Sequence, residues 1–520
     1  MRILPTTLAM LIASCPAFAQ NNEPITDQII VKYRANNPMM LTDSSPSNGI
    51  AQLQQVTDAD ITYIRTSANN THILKVADQD KLQTVIEQLN QNPAIEYAEP
   101  DRIMWPTATP NDPEFSKQWH YSSSVSGINL PKAWDVTTGG ADVVVAVIDT
   151  GILPDHPDLM NNLLPGYDFI KNAEAARDGN ARDSDATDEG DWLIAGQCGQ
   201  NYPPRDRNSS WHGTHVAGTI AAEGNNGQGG TGVAWSASIL PVRVLGACGG
   251  YTSDITDGMR WAAGLQVAGV PANPYPAKVL NLSLGGKGAC GYTYQQAIND
   301  VRAKGAAVIV AAGNSNQDVS GFTPGSCQGV ISVASNNKEG NRAFYSNYGA
   351  KVDVTAPGGG RSGGILSSYN SGLRQAEHHT YDYSMGTSMA APHIAGIAAL
   401  MYSLDTSLTP DQVEQYITET SREFPAGSSC NTSNCGTGIA DTFAALQRVK
   451  GIIPTPKPNP QPGTLDCSNI PQWAASSVYQ AGEQAQQNGI AYQANWWTQS
   501  QSPAENSTNW AVWSKLGQCK

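Results

Sequence analysis

Continuous apolar runs separated by amphipathic stretches dominate the middle of this chain. Val143-Val144-Val145-Ala146-Val147-Ile148 contains no polar position, the pattern of a strand covered on both faces. Residues 279–284 and 306–312 read the same way. Between these runs, apolar positions at helical spacing predict helices over 213–222, 254–268, 294–304 and 410–420, and the apolar segment 394–404 predicts a buried helix. Strands alternating with helices from about 115 to 450 predict an α/β fold with a mainly parallel central sheet.

The ends of the chain follow other patterns. Residues 28–33 and 73–76 read as strands, 81–90 as an amphipathic helix, and 94–100 alternates as an edge strand does. Together they predict a small α+β unit, closed by the turn-rich Thr107-Ala108-Thr109-Pro110-Asn111-Asp112-Pro113. Residues 453–463, Ile-Pro-Thr-Pro-Lys-Pro-Asn-Pro-Gln-Pro-Gly, form a proline-rich linker of the extended, semi-rigid kind. The segment beyond it, from Cys467 to Cys519, holds five of the twelve tryptophans. It is small enough that a disulfide would be needed to support its core.

Composition narrows the setting. A chain of 520 residues is expected to hold several domains. Its formal charge of −14 argues against a nucleic-acid partner. At the start, Arg2, an apolar stretch around 8–13 and Ala17-Phe18-Ala19 make an export signal over 1–19. The stretch is too short to span a bilayer, so no membrane association is expected. Ile12-Ala13-Ser14-Cys15 also fits a lipoprotein signal. Removing Cys15 with the leader, however, leaves eight of nine cysteines, an even number for an oxidising, extracellular compartment.

Three segments carry chemistry. Asp149 closes the first apolar run, at the end of a strand where open parallel sheets bind ligands. His212-Gly213-Thr214-His215 opens a predicted helix, and Gly386-Thr387-Ser388-Met389-Ala390 precedes the buried one. In that order the three resemble the subtilisin family of serine endopeptidases. The resemblance implies Ser388 as nucleophile, His212 as general base and Asp149 as the acid that orients it. Asn314, in Ala311-Ala312-Gly313-Asn314, corresponds to the oxyanion-hole asparagine, a donor worth about 10²–10³ in turnover. Ser283, Leu284 and Gly285 match the strand that pairs with an extended peptide, and Ala311, Ala312 and Gly313 the opposite wall of the pocket beside the nucleophile. The other histidines of these motifs, His156, His215 and His393, read as structural. By the same resemblance 20–107 is an inhibitory propeptide that assists folding, 108–450 the catalytic domain and 451–466 the linker, in a secreted monomer acting on proteins.

Further expectations rest on the same resemblance. Asp158 matches a calcium ligand, with Asn226 and nearby carbonyl oxygens completing the site. A second calcium loop is expected from Asp178, Asp183, Asp185, Asp188 and Asp191, since hard cations favour several oxygens. Eight cysteines admit about 105 pairings; locality and resemblance favour Cys198–Cys248, Cys290–Cys327, Cys430–Cys435 and Cys467–Cys519. The segment 467–520 resembles small chitin-binding modules. Trp496 and Trp497 are expected to stack on sugar rings, while Trp473, Tyr492, Trp510 and Trp513 are expected to form its core. Two other classes of function fit the sequence less well. A glycosidase needs a pair of positioned carboxylates, and no acidic motif of the chitinase type is present. A non-catalytic adhesive protein on an inactive scaffold would lack a member of the triad, and none is missing.

Overall fold

The computed structural model describes residues 26–34, 47–67, 71–101, 109–199, 205–452, 467–468, 470–480, 483–494, 498–504 and 513–519. It divides into two compact units, 1–106 and 107–520. The expected signal segment, the linker, Trp496, Trp497 and Trp510 lie outside the described residues.

The first unit is an antiparallel sheet with two helices. Its elements are β1 Gln28–Tyr33, α1 Ser47–Thr57, β2 Ile61–Ser67, β3 Thr71–Val76, α2 Leu82–Gln91 and β4 Ile95–Pro100, and the sheet order is β2-β3-β1-β4. β4 is an edge strand, as its alternation predicts. In β1, Ile29, Val31 and Tyr33 are buried and the residues between them are not, the period of two of a half-covered sheet. Leu82, Val85, Ile86 and Leu89 of α2 pack onto that face.

The second unit is built on seven parallel strands in the order β13-β12-β10-β8-β5-β7-β6. These strands are β5 Val144–Asp149, β6 Tyr167–Asp168, β7 Ser238–Arg243, β8 Val279–Leu282, β10 Ala307–Ala311, β12 Ile331–Asn336 and β13 Val354–Pro357. Alternate residues of β5 face opposite layers. Val145 and Val147 meet α3 His212–Ala221, α6 Thr387–Leu404, α7 Pro410–Glu419 and α8 Thr442–Val449, whereas Val144, Ala146 and Ile148 meet α4 Thr252–Ala262 and α5 Tyr292–Ala303. The chain leaves β5 toward β6 and β7, then crosses back to β8 on its other side. The strand order therefore reverses at the end of β5, where Asp149 sits and where open α/β sheets form their ligand crevice.

Two predicted helix ranges change. α4 stops at Ala262 rather than 268, because Gly264 turns the chain with φ +79° and a proline-rich stretch follows. α6 begins at Thr387 rather than 394, so Ser388 lies in its first turn with Pro392 inside the helix.

The short elements of this unit are β9 Gly286–Lys287, β11 Phe322–Thr323, β14 Ile365–Asn370 and β15 His379–Ser384. The last segment contributes β16 Val478–Tyr479, β17 Gln484–Gln487, β18 Ile490–Ala494, β19 Thr498–Gln499 and β20 Trp513–Gln518. Its small core gathers Tyr479, Tyr492 and Trp513, with Trp473 packed against it. The expected core role of Tyr492, Trp473 and Trp513 is therefore met. All four expected disulfides are formed: Cys198–Cys248, Cys290–Cys327, Cys430–Cys435 and Cys467–Cys519. Among the described residues no helix is long and apolar enough to cross a membrane.

Candidate active site

Asp149 is fully buried at the end of β5, so its charge must be met by nearby donors. Its Oδ1 accepts the Thr150 N–H at 2.8 Å and the His212 Nδ1–H at 2.7 Å. With Nδ1 committed as donor, the lone pair of Nε2 is free to take a proton. Burial opposes the charged form of His212, but the charge and hydrogen bond of Asp149, with Asp191 and Asp188 beyond it, outweigh that effect. Its pKa lies above the ordinary histidine value.

The approach of α3 to β5 needs a glycine. A methyl group on Gly213 would lie 2.1 Å from the Gly151 carbonyl oxygen. The Gly213 N–H donates to Thr150 Oγ1 at 3.0 Å, and that hydroxyl donates to the buried Asp188 Oδ2 at 2.6 Å. Trp211, just before His212, is held in the left-handed region at φ 47°. Its buried indole is anchored by a 2.7 Å bond to the Gly372 carbonyl, so the strain beside His212 is over-determined by packing.

Ser388 and Asn314 share one cleft of about 760 Å³ with His212, Ser283, Leu284, Gly285, Ala311, Ala312 and Gly313. Pro392 has no N–H to give the Ser388 carbonyl four residues earlier. The Ser283 hydroxyl supplies that donor at 2.7 Å and is itself held by Asn281 Nδ2 at 3.0 Å. The Ser388 hydroxyl donates to the Ser283 carbonyl at 3.0 Å. Asn314 is fixed by its Oδ1, which accepts from Thr387 N at 2.8 Å and Thr387 Oγ1 at 2.9 Å. Those two bonds leave the amide Nδ2 as the available donor.

Asn281, Thr387, Thr150 and Asp188 were not singled out for these supporting roles. Thr150 and Thr387 do lie inside the motifs, and their hydroxyls beside a buried acid and an amide are the signal that could have found them. The other motif histidines are buried supports. His393 Nδ1–H donates to the Met389 carbonyl at 2.7 Å, and its Nε2 lies 2.7 Å from His120 Nδ1. Burial pushes His393 down to about 3, and His156 and His215 down to about 4.

The expected calcium ligands divide into two cases. Asp158 is fully buried; its Oδ1 accepts from Asn226 Nδ2 at 3.0 Å and its Oδ2 from Gly230 N at 3.2 Å. Asp112, also buried, accepts the Asn225 N–H at 2.6 Å. Burial, reinforced by Asp112, pushes Asp158 up to about 6. Among the described residues neither carboxylate has a basic partner, a donor set that suits a hard cation.

The loop of Asp178, Asp183, Asp185, Asp188 and Asp191 behaves differently. Asp178 pairs with the buried Arg243 at 2.9 Å, which also holds Asp168. Asp188 bonds Thr150, and Asp191 accepts both the N–H and the hydroxyl of Ser210, at 2.6 and 3.0 Å. Asp183 and Asp185 close turns onto Asp185 N and Thr187 N. Each carboxylate thus has its own protein partner. Among the described residues no group of three or more acidic, histidine or cysteine side chains converges as a metal cluster.

Comparison with known proteins agrees with this geometry. A family model described as the subtilase family matches residues 140–447, and one described as the Fervidolysin N-terminal prodomain matches 17–101. The chain is 43% identical over 444 residues to the "Extracellular basic protease" of Dichelobacter nodosus, covering 83% of this chain and 72% of that one. It is 42% identical over 458 residues to the "Extracellular protease" of Xanthomonas campestris pv. campestris, covering 85% and 77%. A solved structure described as proteases from Pseudoalteromonas arctica superposes with a TM-score of 0.63 at 54% identity, covering 66% of this chain and all of that one. With a catalytic-type cleft at the switch point of its sheet and relatives of this kind over most of its length, the chain belongs to the subtilase family and is a serine endopeptidase.

Proposed function

We propose that Ser388, His212, Asp149 and Asn314 are the residues that carry peptide-bond hydrolysis in a secreted, propeptide-activated enzyme. The observation that carries this reading is the 2.7 Å bond between buried Asp149 and His212 in the cleft that also holds Ser388 and Asn314. His212 Nε2 takes the Ser388 hydroxyl proton as Oγ adds to the scissile carbonyl carbon. The developing oxyanion receives Asn314 Nδ2 and the Ser388 backbone N–H, one of the unpaired donors of a helix first turn. Collapse expels the amine, which takes the proton back from His212. Water, deprotonated by the same imidazole, then hydrolyses the ester on Ser388. An extended substrate pairs with the backbone of Ser283, Leu284 and Gly285 on one side and Ala311, Ala312 and Gly313 on the other. Such bonds position it without reading its side chains.

Three parts surround this chemistry. Residues 20–107 act as inhibitor and folding aid, a reading supported by the prodomain match. Calcium is held by Asp158, Asp112 and Asn226, where it would neutralise two buried carboxylates that lack a basic partner. The module at 467–520 holds the enzyme on chitin-like polysaccharide through Trp496 and Trp497. Support for this last part is the aromatic pattern of the sequence, because Tyr492 and Trp513 are already used in the core.

Ser388→Ala is expected to accumulate as unprocessed precursor and to lose caseinolysis. Wild-type activity should vanish on labelling by a fluorophosphonate; full activity in the labelled enzyme would overturn the assignment of Ser388. Because hydrolysis needs neutral His212 and its pKa is raised, kcat/KM should fall as pH drops through a limb centred above about 6.5. A limb centred below that value contradicts the electrostatics. Chelation should lower Tm and speed autolysis in the wild type, and Asp158→Asn should make Tm indifferent to added calcium. An unchanged wild-type Tm in chelator removes the calcium site. Finally, the full chain should be retained on chitin beads, and the Trp496→Ala, Trp497→Ala double variant should pass through with peptidase activity intact. Equal retention of the two rules out that surface.

A further inference from the structure

Asn314 stands on the loop that follows β10, and residues 314–318 of that loop are all exposed. Its turns are made in the left-handed region, by Gly313 at φ +105° and Asn316 at φ 52°. An exposed loop is ordinarily among the more mobile parts of a fold. A donor for a developing oxyanion, by contrast, has to be in place before the charge forms. The loop is therefore held from two sides. On the side of α6, the Thr387 hydroxyl accepts the Gly313 N–H at 3.0 Å. On the other side lies Asn347, between β12 and β13.

The Asn347 side chain is fully buried. Its Nδ2–H donates to the Ala312 carbonyl at 2.8 Å, and its Oδ1 accepts the N–H groups of Ser315 at 3.0 Å and Gln317 at 3.1 Å. Its own backbone N–H donates to the Gly313 carbonyl at 2.8 Å, and the Asn316 N–H donates to the Tyr345 carbonyl at 2.8 Å. One amide side chain thus bonds the backbone on both sides of Asn314. Two N–H groups facing Oδ1 and a carbonyl facing Nδ2 fix its orientation, since the flipped amide would oppose like groups. The approach is close: a methyl group on Gly313 would lie 2.4 Å from Asn347 Nδ2.

We infer that Asn347 is a positioning residue for peptide-bond hydrolysis, clamping the loop so that Asn314 Nδ2 stands where the oxyanion forms. The inference rests on the role given to Asn314 under Proposed function. Asn347 does not line the cleft itself, so it acts through Asn314 and not on the substrate. Its loss should weaken an interaction made in the transition state, which lowers kcat and leaves KM alone. Alanine removes both the donor and the acceptor, whereas aspartate keeps the volume and the acceptor and loses the donor.

The test is a double-mutant cycle on full-length chains matured over immobilised wild-type enzyme, with active sites counted by the end point of fluorophosphonate labelling. Asn347→Ala should lower kcat on a peptide anilide by roughly ten- to a hundredfold, with KM within about twofold of wild type. Asn347→Asp should also lose kcat at constant KM, with packing preserved. In an Asn314→Ala background either replacement should change kcat by no more than about twofold, because the group being positioned is gone. A residue that only supports the fold would give losses that multiply with that of Asn314→Ala. Wild-type kcat in both Asn347 variants, or losses that multiply, overturns the inference. Hydrogen exchange of the wild type needs no variant: the Ser315 and Gln317 amides should exchange slowly despite their exposed loop, and exchange at the rate of a free peptide overturns the clamp. Full activity in Asn314→Ala overturns the role of Asn314 itself, a result distinct from any of these.

Discussion

A carboxylate at the end of a fully buried strand is the constraint on which the site depends. All six residues of β5 are buried, and the strand lies between two layers of helices. A charge left there without donors would be costly, and a buried carboxylate is kept ionised only by nearby hydrogen bonds and positive groups. Asp149 obtains them from Thr150 N and from His212. That requirement pulls the first turn of α3 against the end of β5, closely enough that Gly213 tolerates no side chain. The histidine motif is thus spaced as it is because one buried acid has to be satisfied. The imidazole that results is bonded through Nδ1 to the acid and lines the cleft.

A second constraint ties Ser388 to the sheet. Proline inside α6 leaves the Ser388 carbonyl without its helical partner, a loss that would weaken the helix at its most important residue. The Ser283 hydroxyl replaces the missing donor, and Asn281 holds that hydroxyl in place. One consequence is that Ser283, which follows β8 and lines the cleft, is bonded directly to Ser388. The Asn314 amide is fixed in a parallel way by Thr387, the neighbour of Ser388. His212, Ser388 and Asn314 are therefore positioned by three separate elements, each through a bond to a residue inside or beside a motif.

This arrangement explains what could be read from the sequence. The strands and most helices were legible because unbroken apolar runs and helical spacing report burial directly. The chemistry was legible because its residues sit in short contiguous motifs at element ends. The start of α6 was not, because a proline reads as a stop unless one knows that Ser283 from another strand restores the lost bond. The first helix of the N-terminal unit, α1, and the strand β2 were also missed: Ser47–Thr57 is polar apart from a few positions, so its apolar spacing is weak. The partners of the acidic loop were hidden for a related reason. Six carboxylates in fourteen residues suggest a cation, and in the fold Arg243 on β7 pairs with Asp178 while Thr150 and Ser210 bond Asp188 and Asp191.

Selectivity obeys a different logic from catalysis. A hydroxyl, an imidazole and a carboxylate must occur as particular residue types, so their presence leaves a mark in the sequence. Pocket depth needs only that some atoms occupy a given volume, and any of several residues on any nearby element can supply them. One lining element of this cleft is β11, two residues long, a strand too short to leave a periodic signal. Its position comes from pairing with β9 and from the disulfide that anchors the following turn.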